Sequence, residues 1–550
     1  MSSPEIYPLC ETAIVVEWEN RIDERINRQV HDLNHLIGQD PFPGFKEAVP
    51  AYNTLTIYYH PEETTITQDV SYTFVKKYIE DRLLSLTTGT DIPSPPVSVP
   101  VCYDDDLGID LEILTTTHHL TKERVIALHG QKEYYIYMMG FLPGFAYMGQ
   151  VDDAIATPRK ETPRAIVEEG SVGIAGLQTG IYPLSSPGGW QIIGRTPLTL
   201  FDPGKKDPFL FKAGDRVKFK PISRTEFNSI KATQAKRAIP ETTEQIADAA
   251  IIKAGPFSTI QDAGRFGYQS YGVPVSGAMD MHSYNLANAL LGNKKGAATI
   301  ECTMGGLMIQ FNKNTDVVIT GAGTAFVNHR VIKKYQPLRL YRNDLLELRY
   351  NNDGIRTYIA VAGGIETPMI MNSRSTYTRA GIGSILKKGN SLQFGTVLRS
   401  EPKKDLIRIP LNEYTGKALI RIMEGPEQEK MKKESRDRLY KQPFVLTNQC
   451  DRMGYKLQGD PLYLDDTTEL LSTAVTRGTI QLTPNGQLVL LMSDCQTTGG
   501  YPRVAQVAAV DLPIAAQLKP GDMLSFINIS YQEAEELYLL QQNRLNEYFR

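Results

Sequence analysis

The chain has 550 residues and sets 59 Lys+Arg against 62 Asp+Glu, a formal net charge of −3. That length suits three or four domains at roughly 100–200 residues each, and the balanced charge argues against a nucleic-acid surface or a polybasic membrane anchor. No apolar run approaches the ~18 residues of a membrane helix, the start Met1-Ser2-Ser3-Pro4-Glu5 lacks the basic and apolar regions of a signal peptide, and five dispersed cysteines argue against a disulfide framework; the expectation is a cytoplasmic protein.

Residues 1–96 read as a small α/β domain. Thr12 to Trp18 is strand-like, Ile22, Ile26, Val30, Leu33 and Ile37 recur at helical spacing, Thr54–Tyr59 alternates as a strand, and Val70 to Leu86 returns to helix. Two strand–helix units in this length suit a ferredoxin-like layer of helices on an antiparallel sheet. His31 and His35, four apart, lack the Glu of a His-Glu-x-x-His motif and read as an exposed helix face, with no metal site expected. The run Asp91-Ile92-Pro93-Ser94-Pro95-Pro96 makes a Pro-rich linker.

Residues 97–222 change to short strands and turns, with one helix starting at the N-cap residue Thr121 and ending near His129-Gly130, where His129 would contact the last carbonyls. Gly140 to Pro197 is dense in glycine between β-branched runs, a pattern of positive-φ turns and close backbone approaches. Residues 223–249 are polar with scattered apolar positions and read as a linker.

Residues 250–400 and 401–550 repeat one another. Ile252-Lys253-Ala254-Gly255-Pro256 recurs as Ile422-Met423-Glu424-Gly425-Pro426, and Asp262-Ala263-Gly264-Arg265-Phe266-Gly267-Tyr268 recurs, shortened, as Asp451-Arg452-Met453-Gly454-Tyr455. Three segments end alike, at Lys212–Phe219, Lys387–Phe394 and Lys519–Phe526, each a turn feeding an alternating strand able to close a sheet. The expectation is a mainly β protein: the small α/β domain followed by three related β-barrels, two of them in tandem, with a C-terminal helix from Tyr531 to Arg550.

These motifs carry a family resemblance. Residues 97–220 resemble the KipI family, the B-type component of 5-oxoprolinase, through Val99-Pro100-Val101-Cys102-Tyr103, Gly140-Phe141-Leu142-Pro143-Gly144-Phe145, the pairs Pro158-Arg159 and Pro163-Arg164, and the Gly170–Pro197 block. Residues 250–530 resemble the KipA family, the C-type component of 5-oxoprolinase, a biotin-dependent carboxyltransferase-like domain, through Gln261 to Tyr268, Gly272 to Asp280, Asn288, Leu291-Gly292-Asn293, Glu301, Asp451 to Gly454 and Thr498 to Pro502. Both are related to urea amidolyase and allophanate hydrolase domains. Asp104-Asp105-Asp106-Leu107-Gly108 departs from the family, whose members carry a Gly-Gly pair there.

The resemblance implies cyclophilin-like barrels and a fused B–C component that, with a separate A-type 5-oxoprolinase protein, hydrolyses 5-oxoproline to glutamate using ATP. It also implies a less favoured alternative, the carboxyltransferase component of a biotin-dependent urea or amide carboxylase. The chain has no Met-Lys-Met biotinylation motif, so biotin would come in trans, and its KipI-before-KipA order is the reverse of the urea-carboxylase arrangement. A second alternative is a non-enzymatic regulator of a histidine kinase. No P-loop motif is present, so ATP binding would be unconventional or contributed by the partner; homo-oligomerisation stays open.

Both reactions act on small amides and need cations near developing oxyanions and a group to handle a proton. Asp280 and Glu301 are candidate bases, or capping carboxylates. Tyr182 and Gln178 suit orienting an amide, or holding a turn. Arg159, Arg164 and Arg195 suit clamping an anion, or structural ion pairs. Asp262 and Arg265 form a candidate binding pair or a structural one, and Asn288 joins the candidates through the family motif.

Overall fold

The computed structural model describes residues 3–64, 71–86, 95–235, 247–397, 414–466 and 470–549. Its N-terminal sheet has four strands, Glu5–Cys10, Ala13–Glu17, Phe45–Pro50 and Thr54–Tyr59, antiparallel throughout, with the fourth strand between the second and third. Helices Glu24–Gln39 and Ser71–Leu84 cover one face. The first starts at the Asp23 cap, whose carboxylate accepts from the Arg25 amide at 2.8 Å, and buries Ile26, Val30, Leu33 and Ile37.

Two of these strands lie outside the elements expected from periodicity. Glu5–Cys10 contains Pro8, which suits only an edge strand, and Phe45–Pro50 carries the charged pair Lys46-Glu47 directly after its first residue. The chain order is therefore strand–strand–helix–strand–strand–helix, which differs from the βαββαβ order of a ferredoxin-like unit. The continuous apolar run Ala13-Ile14-Val15-Val16 has a cause: both faces are covered. Ile14 and Val16 pack on the helices, and Ala13 and Val15 pack on Met423, Ala474 and Ala508 of the third barrel.

The first barrel is a seven-stranded sheet closed by a bridge between Cys102 and Arg195, each N–H donating to the other's carbonyl at 2.9 Å. Its last strand, Arg216–Pro221, runs parallel to its first, Val97–Val101. In the closed third barrel Met523–Asn528 does the same beside Lys417–Glu424. In the second, Ser391–Phe394 pairs antiparallel with Ala249–Ala254. Each repeated turn–strand segment of the sequence thus ends on a strand that pairs with its barrel's first.

The glycine-rich block serves packing more than turning. Gly144, Gly170 and Gly176 do hold positive φ, but Gly180 and Gly188 do not. A Cβ on Gly180 would meet the Trp190 ring at 3.0 Å, and one on Gly188 would meet the Tyr182 hydroxyl. Helix Lys122–Gln131 is capped by Thr121 as expected. His129 does not reach the helix-end carbonyls: it is fully buried, stacked on Phe219 at 4.4 Å, and bonded by ring nitrogens to Tyr103 and Thr179 at 3.0 Å. Burial pushes its pKa down to about 3, so it stays neutral. His31, half-buried, turns inward to the Tyr137 carbonyl at 3.3 Å.

The stretch read as a linker contains a helix, Arg224–Ala235. Phe227 packs against Cys102 and Leu107, and the Gln234 side chain accepts from the Thr199 amide at 3.1 Å, so the helix belongs to the first barrel. Its apolar positions were too few to show a periodic face. The C-terminal helix, Tyr531–Phe549, returns to the N-terminal domain, where Tyr531 meets the Tyr59 hydroxyl at 2.9 Å and Glu535 accepts from the Ser71 amide at 2.8 Å. Among the described residues no helix is long and apolar enough to cross a membrane.

Phe227→Ala should destabilise the first barrel by about 3 kcal/mol through lost burial and an unfilled cavity. Hydrogen exchange confined to residues 97–235 is the measurement, and the second and third barrels should be unaffected.

Candidate functional site

The second and third barrels meet on a loop whose backbone is held almost atom by atom. Ser276 and Gly277 take consecutive left-handed conformations, φ 57° and 80°. The next residues are fixed from below. Glu301, with no solvent exposure, accepts from the Met279 amide at 2.8 Å and from the Tyr358 hydroxyl at 2.7 Å, and Tyr358 in turn accepts from the Asp280 amide at 2.7 Å. Arg452 reaches across from the third barrel. It donates to Glu301 at 2.5 Å, to the Gly277 carbonyl at 2.6 Å and to both oxygens of Asp494 at 2.9 and 3.0 Å. Arg477 donates to the Ala278 carbonyl at 3.2 Å and to the Met279 carbonyl. Burial alone would raise the Glu301 pKa; Arg452, Arg356, the Met279 amide and Tyr358 outweigh it and hold the carboxyl below its ordinary value.

Above this loop lies a cavity of about 230 Å³ to which every domain but the first barrel contributes. The N-terminal sheet supplies Glu11, Lys46, Glu47 and Tyr58; the second barrel supplies Phe266 and Ser276; the third supplies Arg477 and Ser493; the C-terminal helix supplies Tyr538. Several polar atoms on the lining residues are buried yet lack a hydrogen-bond partner: Glu47 Oε1, Tyr58 Oη, Ser276 Oγ and Arg477 Nε. Buried polar atoms are nearly always satisfied, so four such atoms on residues lining one cavity mark it as a candidate ligand site.

The charges are also uncommitted. Lys46 Nζ rests 3.7 Å above the Phe266 ring and has no ion pair among the described residues. Burial brings its pKa down to about 8 against the pull of Glu47 and other anions. Glu47 accepts from the Gln269 amide at 3.0 Å through its other oxygen, and burial raises its pKa. Glu11 is 1% exposed and accepts from the Ala509 amide at 2.6 Å. Burial, with Glu535 and Asp511 nearby, pushes its pKa up to about 7. Shifted acids and bases in one cleft are the electrostatic pattern of a working site. Ser276 adds strain: a non-glycine residue at φ 57° costs roughly 1–2 kcal/mol.

Two larger openings hold less uncommitted chemistry. One, about 490 Å³, lies on the other side of the loop. There Asp280 caps helix Met281–Leu291 through the Ser283 amide and hydroxyl and also accepts from Gln517 at 2.8 Å, while Lys334 donates to the Gly321 carbonyl at 2.6 Å. The other, about 970 Å³, runs along the first barrel past Arg195 and Lys231.

None of the candidate site residues named from the sequence lines the small cavity, although the quoted motifs run through Phe266 and Ser276, which do. Asp280 and Glu301 stand directly beneath it as a cap and a clamp. Asp262 accepts from the Gly264 and Arg374 amides and the Ser373 and Ser375 hydroxyls, and Arg265, fully buried, donates to the Ile370 and Ser375 carbonyls at 3.0 and 2.8 Å. Together they tie the loop's outer arm to residues 370–375. Asn288 bonds Asn293 and the Ala297 carbonyl at 2.9 Å. On the first barrel, Arg164 pairs with the buried Asp110, Arg159 is exposed, Gln178 lies half-buried, and Tyr182 is enclosed by Phe145 and Trp190, with burial raising its phenol to about 12. The atypical Asp105 and Asp106 make surface pairs with Lys122 and Arg224.

Sequence reasoning missed Glu11, Lys46, Glu47, Ser276 and Arg477. A signal existed for the lysine and glutamate, two charges opening an otherwise apolar strand. Arg477, in Thr-Arg-Gly, carried none.

Comparison with known proteins agrees with this architecture. The family model described as carboxyltransferase domain, subdomain C and D, matches residues 4–211, and that for subdomain A and B matches residues 271–528. The chain is 42% identical to the 5-oxoprolinase B subunit of Bacillus subtilis over 231 residues, spanning 41% of this chain and 96% of that protein. It is 36% identical to the 5-oxoprolinase C subunit of Escherichia coli over 289 residues, spanning 52% and 92%. Among solved structures, TTHA0988 superposes with a TM-score of 0.82 at 29% identity, over 94% of this chain and 99% of that one.

Arg452→Met should destabilise the junction of the second and third barrels by about 3–5 kcal/mol, because Glu301 and Asp494 would remain buried without their cation; calorimetry should show the two barrels no longer melting together. Glu11 gives a pH signature of opposite sense to Glu301. Its folded pKa of about 7 lies above the ordinary 4.5, so the folded state binds the extra proton and stability falls as pH rises through that window. Glu11→Gln should therefore be more stable than the parent at pH 8, by up to about 3 kcal/mol, and indistinguishable from it below pH 4.5, as read from denaturant midpoints at the two pH values.

Proposed function

Because the chain belongs to the family of the 5-oxoprolinase B and C components, carried here in that order, we propose that it is the fused B–C component of an ATP-dependent 5-oxoprolinase that works with a separate A-type protein. The observation that carries the reading is the cavity at the junction of the N-terminal domain with the second and third barrels. 5-Oxoproline presents a carboxylate, a lactam carbonyl and a ring N–H. The cavity offers an unpaired ammonium at Lys46, an unpartnered donor at Arg477 Nε and an unpartnered acceptor at Glu47 Oε1. A cation for the carboxylate, a donor for the carbonyl and an acceptor for the N–H match the molecule group by group.

In this reading Lys46 and Arg477 bind the ligand's oxygens, Glu47 orients its nitrogen, and the apolar wall of Phe266, Val275 and Leu512 limits water. Glu11, poised near neutrality, suits taking a proton from attacking water and giving it to the departing nitrogen. Asp280 and Glu301 act through the loop they hold. The first-barrel set Arg159, Arg164, Gln178, Tyr182 and Arg195 lies away from this cavity, and a role for it would be in meeting the partner. A triphosphate suits neither the size of the cavity nor the two carboxylates facing it, so ATP, a co-substrate, is assigned to the partner.

The family model's name, carboxyltransferase, favours a second reading, in which the same cavity receives a carboxyl group from a biotin carrier supplied in trans. One assay separates them. The chain alone should show no turnover of 5-oxoproline. With the A-type protein and ATP it should form glutamate, and Lys46→Met should raise the KM for 5-oxoproline at least tenfold. A mixture that leaves 5-oxoproline untouched yet carboxylates urea from added carboxybiotin carrier would reverse the preference.

A further inference from the structure

The loop beneath the cavity contains three left-handed positions, Gly272, Ser276 and Gly277, and two follow the ordinary rule. Gly272 and Gly277, at φ 81° and 80°, are glycine, the residue that takes this conformation without penalty. Ser276, at φ 57°, is the exception. It is also buried, at 4% exposure, and its hydroxyl has no partner. Strain, burial and an unsatisfied hydroxyl each oppose folding, and glycine at this position would remove all three at once. Nothing in the packing asks for the side chain: the Oγ bonds no neighbour, and the loop is held through the backbone of residues 277–280. What the serine adds is an unpartnered oxygen on a residue that lines the cavity together with Arg477 and Lys46.

We propose that Ser276 is a ligand-binding residue whose hydroxyl donates a hydrogen bond to the carbonyl oxygen of a small amide in this cavity, with Arg477 Nε as a companion donor. The inference rests on the reading of the cavity as an amide site. No carboxylate or imidazole bonds Ser276 Oγ, so no base stands ready to take its proton and the hydroxyl acts as a donor, not a nucleophile. As water adds to the carbonyl carbon, charge grows on the oxygen and a donor already in place there strengthens its bond.

The test uses Ser276→Gly and Ser276→Ala in the full chain, mixed with the A-type protein, ATP and 5-oxoproline. The glycine variant should melt at or above the temperature of the parent while its kcat falls 10²–10³-fold, the loss expected for one oxyanion donor. The alanine variant, which loses the oxygen but keeps the strain, should show the same fall in kcat as the glycine variant and a smaller gain in melting temperature. A glycine variant turning over within threefold of the parent overturns the inference and leaves the proposed function standing. Melting temperature falling together with activity in both variants overturns it too, by showing a structural role. A parent mixture that forms no glutamate overturns the proposed function and this inference with it.

Discussion

The arrangement depends on one buried ionic contact, Arg452 held between Glu301 and Asp494. Such a contact is costly to bury, and it persists only when every donor and acceptor is used. Here the guanidinium makes four hydrogen bonds, to two carboxylates and the Gly277 carbonyl, and Glu301 spends its other oxygen on the Met279 amide and Tyr358. The partners come from different barrels, so the contact specifies how the barrels sit against each other as well as holding them. The loop that forms the floor of the cavity inherits its shape from that junction.

This division of labour explains why two barrels and a small sheet are needed to build a cavity of about 230 Å³. Each barrel is a rigid core with its own apolar filling. None carries the site inside that filling; the chemistry sits on loops and strand ends where rigid bodies meet. Charged groups come from the N-terminal sheet, the strained turn from the second barrel and the supporting arginines from the third. Groups delivered from separate bodies can be desolvated together only on assembly, which is how Lys46 and Glu11 come to titrate so far from their usual ranges.

Much of the fold was legible because it is periodic or repeated. The helical apolar spacing of Ile26 to Ile37 and the recurring turn–strand segments each reflect a local rule. What was not legible depends on contacts made by other parts of the chain. Glu5–Cys10 is a strand because a neighbour pairs with it, and Arg224–Ala235 is a helix seated by a single phenylalanine. The site divided the same way. Asp262, Asp280, Glu301 and Arg265 were visible in motifs, and they turn out to tie, cap and clamp the loop from beneath or from its outer arm. Lys46, Glu47 and Arg477 belong to no motif, since what sets the lysine apart is the phenylalanine ring and the low dielectric that another domain brings to it. Motif strength followed the demands of backbone geometry more closely than the demands of the ligand.

The N-terminal sheet touches the third barrel more intimately than the order of the chain suggests. Val15 and Tyr58 pack on Met423 and Ala508, Arg503 reaches the Tyr7 hydroxyl at 3.3 Å, and the Ala509 amide binds Glu11. The peptide connection between the two halves is thus not what keeps them together. It acts as a tether that fixes their ratio at one to one and raises their effective concentration for each other, so that a cavity sharing walls from both halves closes at any dilution of the protein.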